Sequence, residues 1–270
     1  MHPFDPGYAH APYADLVSTY PGPETYPPQD FRVEWGPIFH RGRLDGSARV
    51  LVLGQDPAAH EAITRRVLVG VAGRRFQGFL SKLGIDTSYV LINTFLYSVY
   101  GQHAGNTHAT DPNIARYRHT WLDALVTHNQ IEAVIALGGL ADTAFHTWRT
   151  APGNAAYDGA YAHILHPTYP DSAAASGADG AVAMKQLTTS WNNALTTLRA
   201  TVTPDTEHPF TPYGDALTPA ELDAIPEADL TPGLPAWMRS DEPWAARQGT
   251  TAAEKRATIC VQVPEDQRPF

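Results

Sequence analysis

The stretch Arg49-Val-Leu-Val-Leu-Gly-Gln-Asp-Pro-Ala58 decides the fold. Its aliphatic run, residues 50–53, is long enough for a buried strand and too short for a membrane span. Gly54 and Pro57 end the run abruptly, because both residues favour turns. The polar pair between them, which includes Asp56, therefore follows the carboxyl end of a strand, where ligands bind in open α/β sheets.

Three further aliphatic runs extend the pattern outward from this stretch. They cover residues 89–92, 133–137 and 161–165, and helical spacing separates them. Short aliphatic strands that alternate with helices indicate a parallel sheet covered on both faces. We therefore predict a three-layer α/β/α sandwich with a central four-stranded parallel sheet and helices over residues 59–83, 114–126, 140–148 and 181–198.

Polar side chains follow three of these four strands. Gln55 and Asp56 follow the first, Asn93 follows the second and His166 follows the fourth. Because right-handed connections place the ends of parallel strands at one edge, we expect these groups to lie together. Each residue alone is explained by turn chemistry, but three in register favour a functional site.

The ordered set Gly54-Gln-Asp-Pro57, Asn93 and His166-Pro-Thr168 resembles the motifs of the uracil-DNA glycosylase superfamily. The classical enzymes carry a Gly-Gln-Asp-Pro-Tyr-His motif, a strand that ends in Asn and a late His-Pro-Ser motif. The segment Val67-Leu-Val-Gly-Val-Ala-Gly73 is similar to the Pro-Phe-Val-Gly-x-Ala-Gly segment of the iron–sulfur-containing branch. The resemblance covers about residues 45–200.

This resemblance implies a monofunctional enzyme of base-excision repair that hydrolyses the N-glycosidic bond of uracil in DNA. Asp56 would align water and stabilise the sugar cation, while His166 and the backbone N–H of Gln55 would donate to the departing base. Asn93 would accept from N3–H and donate to O4 of uracil, a pattern that cytosine reverses. The base would be flipped out of a duplex to reach the pocket.

Two positions, Ala58 and Leu68, depart from the family pattern. Ala58 replaces the tyrosine that excludes thymine, and Glu61 stands where the iron–sulfur branch has an acidic residue with that role. Leu68 takes the place of the aromatic residue that stacks on the base, with Phe76 or Phe95 as alternative stacking partners. Two alternatives therefore stay open: a glycosylase for hypoxanthine, xanthine or mismatched thymine, and a non-catalytic DNA- or nucleotide-binding protein. The presence of a water-aligning carboxylate argues against the second.

Charge is unevenly distributed along the chain. The net charge is −4 over residues 1–40, +2 over residues 41–200 and −7 over residues 201–270. Phosphate contacts need local cations rather than a basic total. We therefore predict that DNA, single- or double-stranded, is contacted by Arg65, Arg66, Arg74, Arg75, Pro167, Thr168 and Tyr169.

Composition suggests three segments: an N-terminal arm (1–44), a catalytic domain (45–200) and an acidic, Pro-rich extension (201–270). The lone Cys260 excludes an internal disulfide and a cysteine-based iron–sulfur or zinc site. No histidine has further ligands at metal-site spacing and no phosphate-binding glycine-rich loop occurs, so we expect no metal and no cofactor. The absence of a signal-like N-terminus or an eighteen-residue apolar run predicts a cytoplasmic protein without membrane contact. We also expect a monomer. If the extension shields the DNA face, its deletion is expected to raise DNA affinity without unfolding the core.

Overall fold

A five-stranded sheet forms the centre of the molecule, which a computed structural model describes over residues 7–100, 102–240 and 243–268. Its strands are β1 (His40–Gly42), β2 (Val50–Gly54), β3 (Tyr89–Asn93), β4 (Ala133–Leu137) and β5 (Ala160–Ile164). They lie in the order β1-β3-β2-β4-β5, with β1 antiparallel to β3 and the other neighbours parallel. The four predicted strands and the α/β/α class are confirmed. The short edge strand β1, His-Arg-Gly, lacks the aliphatic run on which the prediction depended.

Helices cover both faces of the sheet, because β2, β3 and β4 are aliphatic and buried on both sides. In chain order the helices are α1 (Tyr13–Ser18), α2 (Ala59–Thr64), α3 (Val71–Leu83), α4 (Gln102–His108), α5 (Pro112–His128), α6 (Gly139–Thr150), α7 (Tyr169–Ala175), α8 (Gly180–Leu198), α9 (Trp237–Ser240) and α10 (Ala252–Ala257). Residues of α3 and α8 form a core with one sheet face, and residues of α1, α5 and α6 form a core with the other. No helix in the described ranges is long and apolar enough to cross a membrane.

The helix predicted over residues 59–83 is two helices. Arg65 adopts a left-handed conformation (φ 61°) that ends α2, and α3 begins only after Gly70 (φ 106°). Apolar spacing alone does not reveal such a break, because the residues on either side of it still face the core. The break places the segment 65–70 beside the carboxyl end of β2.

The C-terminal extension wraps around the core. Ile225, Leu230 and Trp244 are buried and pack with Ala59 of α2. A short hairpin of β6 (Ala245–Ala246) and β7 (Cys260–Val261) follows. An extension buried to this degree contributes to folding, so the expectation that residues 201–270 can be deleted without unfolding the core does not fit the structure.

Candidate active site

The carboxyl ends of β2 and β3 are joined in register. Gly54, the last residue of β2, pairs with Asn93, the last residue of β3. Beyond the strands, Thr94 N donates to Gly54 O at 2.9 Å and Phe95 N donates to Gln55 O at 3.0 Å. These hydrogen bonds hold the turn after β2 against the chain after β3, so the polar residues of both strand ends share one edge.

Asp56 lies in the turn after β2, and the backbone orients its carboxylate. Its Oδ2 accepts a hydrogen bond from the N–H of Val99 at 3.0 Å. Burial raises the pKa of Asp56 to about 6, although the Val99 N–H and the charges of Arg247 and Arg32 oppose that rise. The carboxylate is therefore largely ionised at pH 7, and a partly desolvated anion beside a cavity can stabilise a developing cation.

His166 follows β5, and its ring is held in one tautomer. The backbone N–H of Thr168 donates to Nδ1 at 3.3 Å, and Thr168 Oγ1 lies 3.0 Å from the same nitrogen. Since a backbone N–H can only donate, Nδ1 is the acceptor and the proton resides on Nε2. Burial, and secondarily the charge of Arg75, lower the pKa of His166 to about 4. The imidazole is therefore neutral at pH 7, and its Nε2–H is a donor.

Gly138, just before α6, lies between the side chains of Gln55 and His166. Its φ is 84°, in the left-handed region that favours glycine. A Cβ at this position would lie 2.6 Å from Gln55 Nε2 and 3.4 Å from His166 Cβ. The glycine after β4 therefore leaves the space that Gln55 occupies.

A cavity of about 560 Å³ lies at this edge of the sheet. Six of the predicted residues line it: Gln55, Asp56, Ala58, His166, Thr168 and Tyr169. The remaining lining residues are Val99, Gly105, Gly138, Gly139, Leu140, His163, Leu165, Ser172 and Arg247. The volume is in the range of small-molecule sites, and the cavity brings a carboxylate and an imidazole donor together.

Asn93 and Leu68 lie beside Gly54 and do not line this cavity. A Cβ at Gly54 would lie 2.3 Å from Asn93 Oδ1 and 3.6 Å from Leu68 Cδ1. Asn93 is 9% exposed, and its amide has no hydrogen-bond partner among the residues that the structure describes. A nearly buried amide that lacks a protein partner is suited to completion by a ligand. Phe76 and Phe95, the alternative stacking residues, are fully buried and cannot face a bound ring.

Glu61 holds the backbone just after the Gly54-Gln-Asp-Pro57 motif. One carboxylate oxygen accepts from Ala58 N at 2.9 Å, and the other accepts from Val69 N at 3.0 Å. The side chain is buried, and burial raises the pKa of Glu61 to about 7. Its geometry ties α2 to the segment before α3 and does not fit the predicted contact with a base, whereas the exposed Ala58 does line the cavity.

The arginine pairs Arg65–Arg66 and Arg74–Arg75 contact different parts of the protein. Arg65 donates to Trp35 O at 2.6 Å and to Pro37 O at 2.5 Å, so it braces the N-terminal arm. Arg66 is 6% exposed. Neither residue fits the predicted phosphate contact, because the guanidinium of Arg65 is hydrogen-bonded to two carbonyl oxygens and Arg66 is buried. Arg74 is half-buried and does not line the cavity.

Arg75 organises the loop after β5. Its Nη1 donates to Pro167 O at 2.8 Å, and its guanidinium forms an ion pair with Asp171 of α7. Pro167 is buried, while Tyr169 donates to Gln186 of α8 at 2.8 Å. Direct DNA contacts by this loop stay a prediction, and the observed role of Arg75 is to hold the backbone next to His166.

Two residues of the cavity escaped the sequence interpretation. His163, which alternates with apolar residues along β5, resembled a packed side chain, yet its side chain is 42% exposed. Arg247 lies far along the chain in a segment without periodicity, so no sequence signal connects it with Asp56. In contrast, no group of three or more His, Cys, Asp or Glu among the described side chains could hold a metal ion.

In a comparison with known proteins, one family model matches the chain. Residues 41–194, more than half of the chain, match the model described as the Uracil DNA glycosylase superfamily. A search of curated proteins finds no match. The matched range contains the four predicted strands and the motif residues at their ends, and it excludes the segment that carries Arg247.

Proposed function

Because the chain belongs to the uracil-DNA glycosylase superfamily, whose members bind DNA and act as glycosylases in DNA repair, we propose that its substrate is uracil in DNA. The enzyme hydrolyses the N-glycosidic bond without a metal or cofactor and leaves an abasic site. The observation that supports this proposal is that Asp56 and His166 line the same cavity, where the Asp56 carboxylate is ionised at pH 7 and the His166 imidazole is neutral with its proton on Nε2.

The proposed reaction follows from these two groups. As the C1′–N1 bond breaks, its electron pair moves to the base and positive charge develops on the sugar. The Asp56 carboxylate stabilises that cation and orients water, whose oxygen bonds to C1′ while its proton passes to the carboxylate or to solvent. His166 donates Nε2–H to the uracil oxygen O2, where negative charge develops. The amide of Asn93 does not line the cavity itself but lies beside Gly54, the residue before the cavity-lining Gln55, and in this proposal it reads N3–H and O4 of the base.

A second substrate, thymine opposite guanine, is favoured by one observation. Ala58 is exposed and lines the cavity where the classical motif has a tyrosine, so this position presents no large side chain that would exclude a methyl group. Glu61 cannot provide that exclusion, since the N–H groups of Ala58 and Val69 already occupy its carboxylate.

One assay separates these possibilities. Labelled single- and double-stranded oligonucleotides with uracil, mismatched thymine, hypoxanthine or xanthine are incubated with the protein and then treated with alkali. We expect strand scission at uracil, and Asp56→Asn is expected to slow it by about 10²- to 10⁴-fold. The matched control Asp158→Asn, at an exposed aspartate, is expected to retain the wild-type rate. DNA binding without scission of any substrate would instead support the non-catalytic alternative.

A further inference from the structure

Arg247 brings a positive charge from the C-terminal extension to the cavity that contains Asp56 and His166. It is the only lysine or arginine among the described residues that line this cavity. Its side chain is exposed and forms no hydrogen bond or ion pair with another residue that the structure describes. Arg65 and Arg75, by contrast, already bind carbonyl oxygens of the protein.

Contacts on both sides fix the segment that carries Arg247. Before it, Ala245 N donates to Nε2 of His60, on the helix that follows the Asp56 turn, at 3.2 Å. After it, Thr258 Oγ1 donates to Gln248 O at 2.7 Å. Further along, the buried Arg32 donates to the carbonyl oxygen of Arg256 at 2.9 Å. The backbone around Arg247 is therefore attached to α2, which follows the cavity-lining Ala58, and to the N-terminal arm at Arg32.

We propose that Arg247 binds a phosphodiester of the DNA strand next to the nucleotide that enters the cavity. This inference rests on the proposed function, in which a flipped nucleotide enters while its phosphates stay at the mouth. The ionised Asp56 repels those phosphates, since the neutral His166 does not offset its charge. A guanidinium matches a phosphate in charge and in hydrogen-bond geometry, so Arg247 relieves this repulsion.

The test measures binding and its salt dependence. Fluorescence anisotropy gives the Kd for an oligonucleotide with a tetrahydrofuran abasic-site analogue between about 50 and 200 mM salt. Arg247→Ala is expected to weaken binding roughly five- to tenfold at the lower salt concentration. It is also expected to reduce the slope of log K against log salt by about 0.9 for duplex or about 0.7 for single-stranded DNA. Arg247→Lys is expected to keep most of the slope, and Arg116→Ala, an exposed arginine on α5, is expected to match wild type.

An unchanged salt slope in Arg247→Ala would overturn the inference. Tighter DNA binding by this variant would also overturn it, and would indicate a segment that blocks the cavity. Because the analogue cannot be excised, the result does not depend on base excision. A reduced slope with a protein that cleaves no base would preserve the phosphate contact and reject the proposed reaction.

Discussion

Replacing Asp229 by alanine tests whether the C-terminal extension is integral to the fold. The side chain of Asp229 is fully buried, and its Oδ2 lies 3.0 Å from Arg41 Nη1. The same oxygen accepts from the hydroxyl of Tyr89, and Oδ1 lies 3.2 Å from Arg43 Nη2. This carboxylate therefore connects the extension to β1 and β3 through charged and polar groups that are removed from water.

The expected loss of stability follows from the group left behind. The Arg41 side chain is fully buried and also donates to Val67 O and to Gln77 Oε1, so it cannot turn toward solvent. Removing one partner of a buried ion pair costs about 3–5 kcal/mol, because the other charge stays buried without compensation. With a urea slope of about 3 kcal/mol per molar, the unfolding midpoint falls by roughly 1–1.7 M.

Urea unfolding, followed by circular dichroism, measures this change. Asp215→Ala is the matched control, because Asp215 pairs with Lys185 at 3.0 Å while their side chains are 80% and 63% exposed. Such an exposed pair contributes about 0–1 kcal/mol. A double variant, Asp229→Ala with Arg41→Met, is expected to recover part of the loss. If Asp229→Ala lowered stability by no more than its control, the argument that this carboxylate anchors the extension would be refuted.

Three further predictions concern the site. The wild-type excision rate is expected to fall to about a tenth between pH 7 and pH 5, because protonation of Asp56 (pKa about 6) removes the charge that stabilises the sugar cation; a flat single-turnover profile would contradict this role. Asn93→Asp is expected to lower uracil excision about 10²-fold or more, since a carboxylate cannot donate to O4, and oligonucleotides with uracil or cytosine measure the change. Gly138→Ala is expected to destabilise the protein by about 1–2 kcal/mol and to slow excision, because the positive φ of 84° at this position disfavours a residue with a Cβ and because the new Cβ would displace Gln55. Gly214→Ala, at an exposed glycine outside the cavity with no atom within 4 Å of the new Cβ, is the control for both thermal unfolding and rate, and equal effects of the two substitutions would exclude this explanation.

The strands and their ends show which parts of the fold local sequence patterns can predict. The predicted strands at residues 50–53, 89–92 and 133–137 differ from the observed ones by at most one residue, because their aliphatic runs and the turns after them are local properties. The position of Asp56 and His166 at one edge follows from the parallel order of such strands. The division between α2 and α3 was not predictable in the same way, since it depends on the backbone conformations of Arg65 and Gly70.

The sequence by itself determined the four parallel strands and the order of Asp56, Asn93 and His166 at their ends, because periodicity and turn chemistry act between near neighbours. The motifs at those strand ends, rather than the periodicity, indicated the family. Only the tertiary structure decided which side chains reach the cavity. Glu61 accepts from two backbone N–H groups instead of facing a ligand. Arg247 arrives from outside the family match through packing across distant parts of the chain. Side-chain direction and long-range packing depend on contacts between residues far apart in sequence, and no local pattern encodes them.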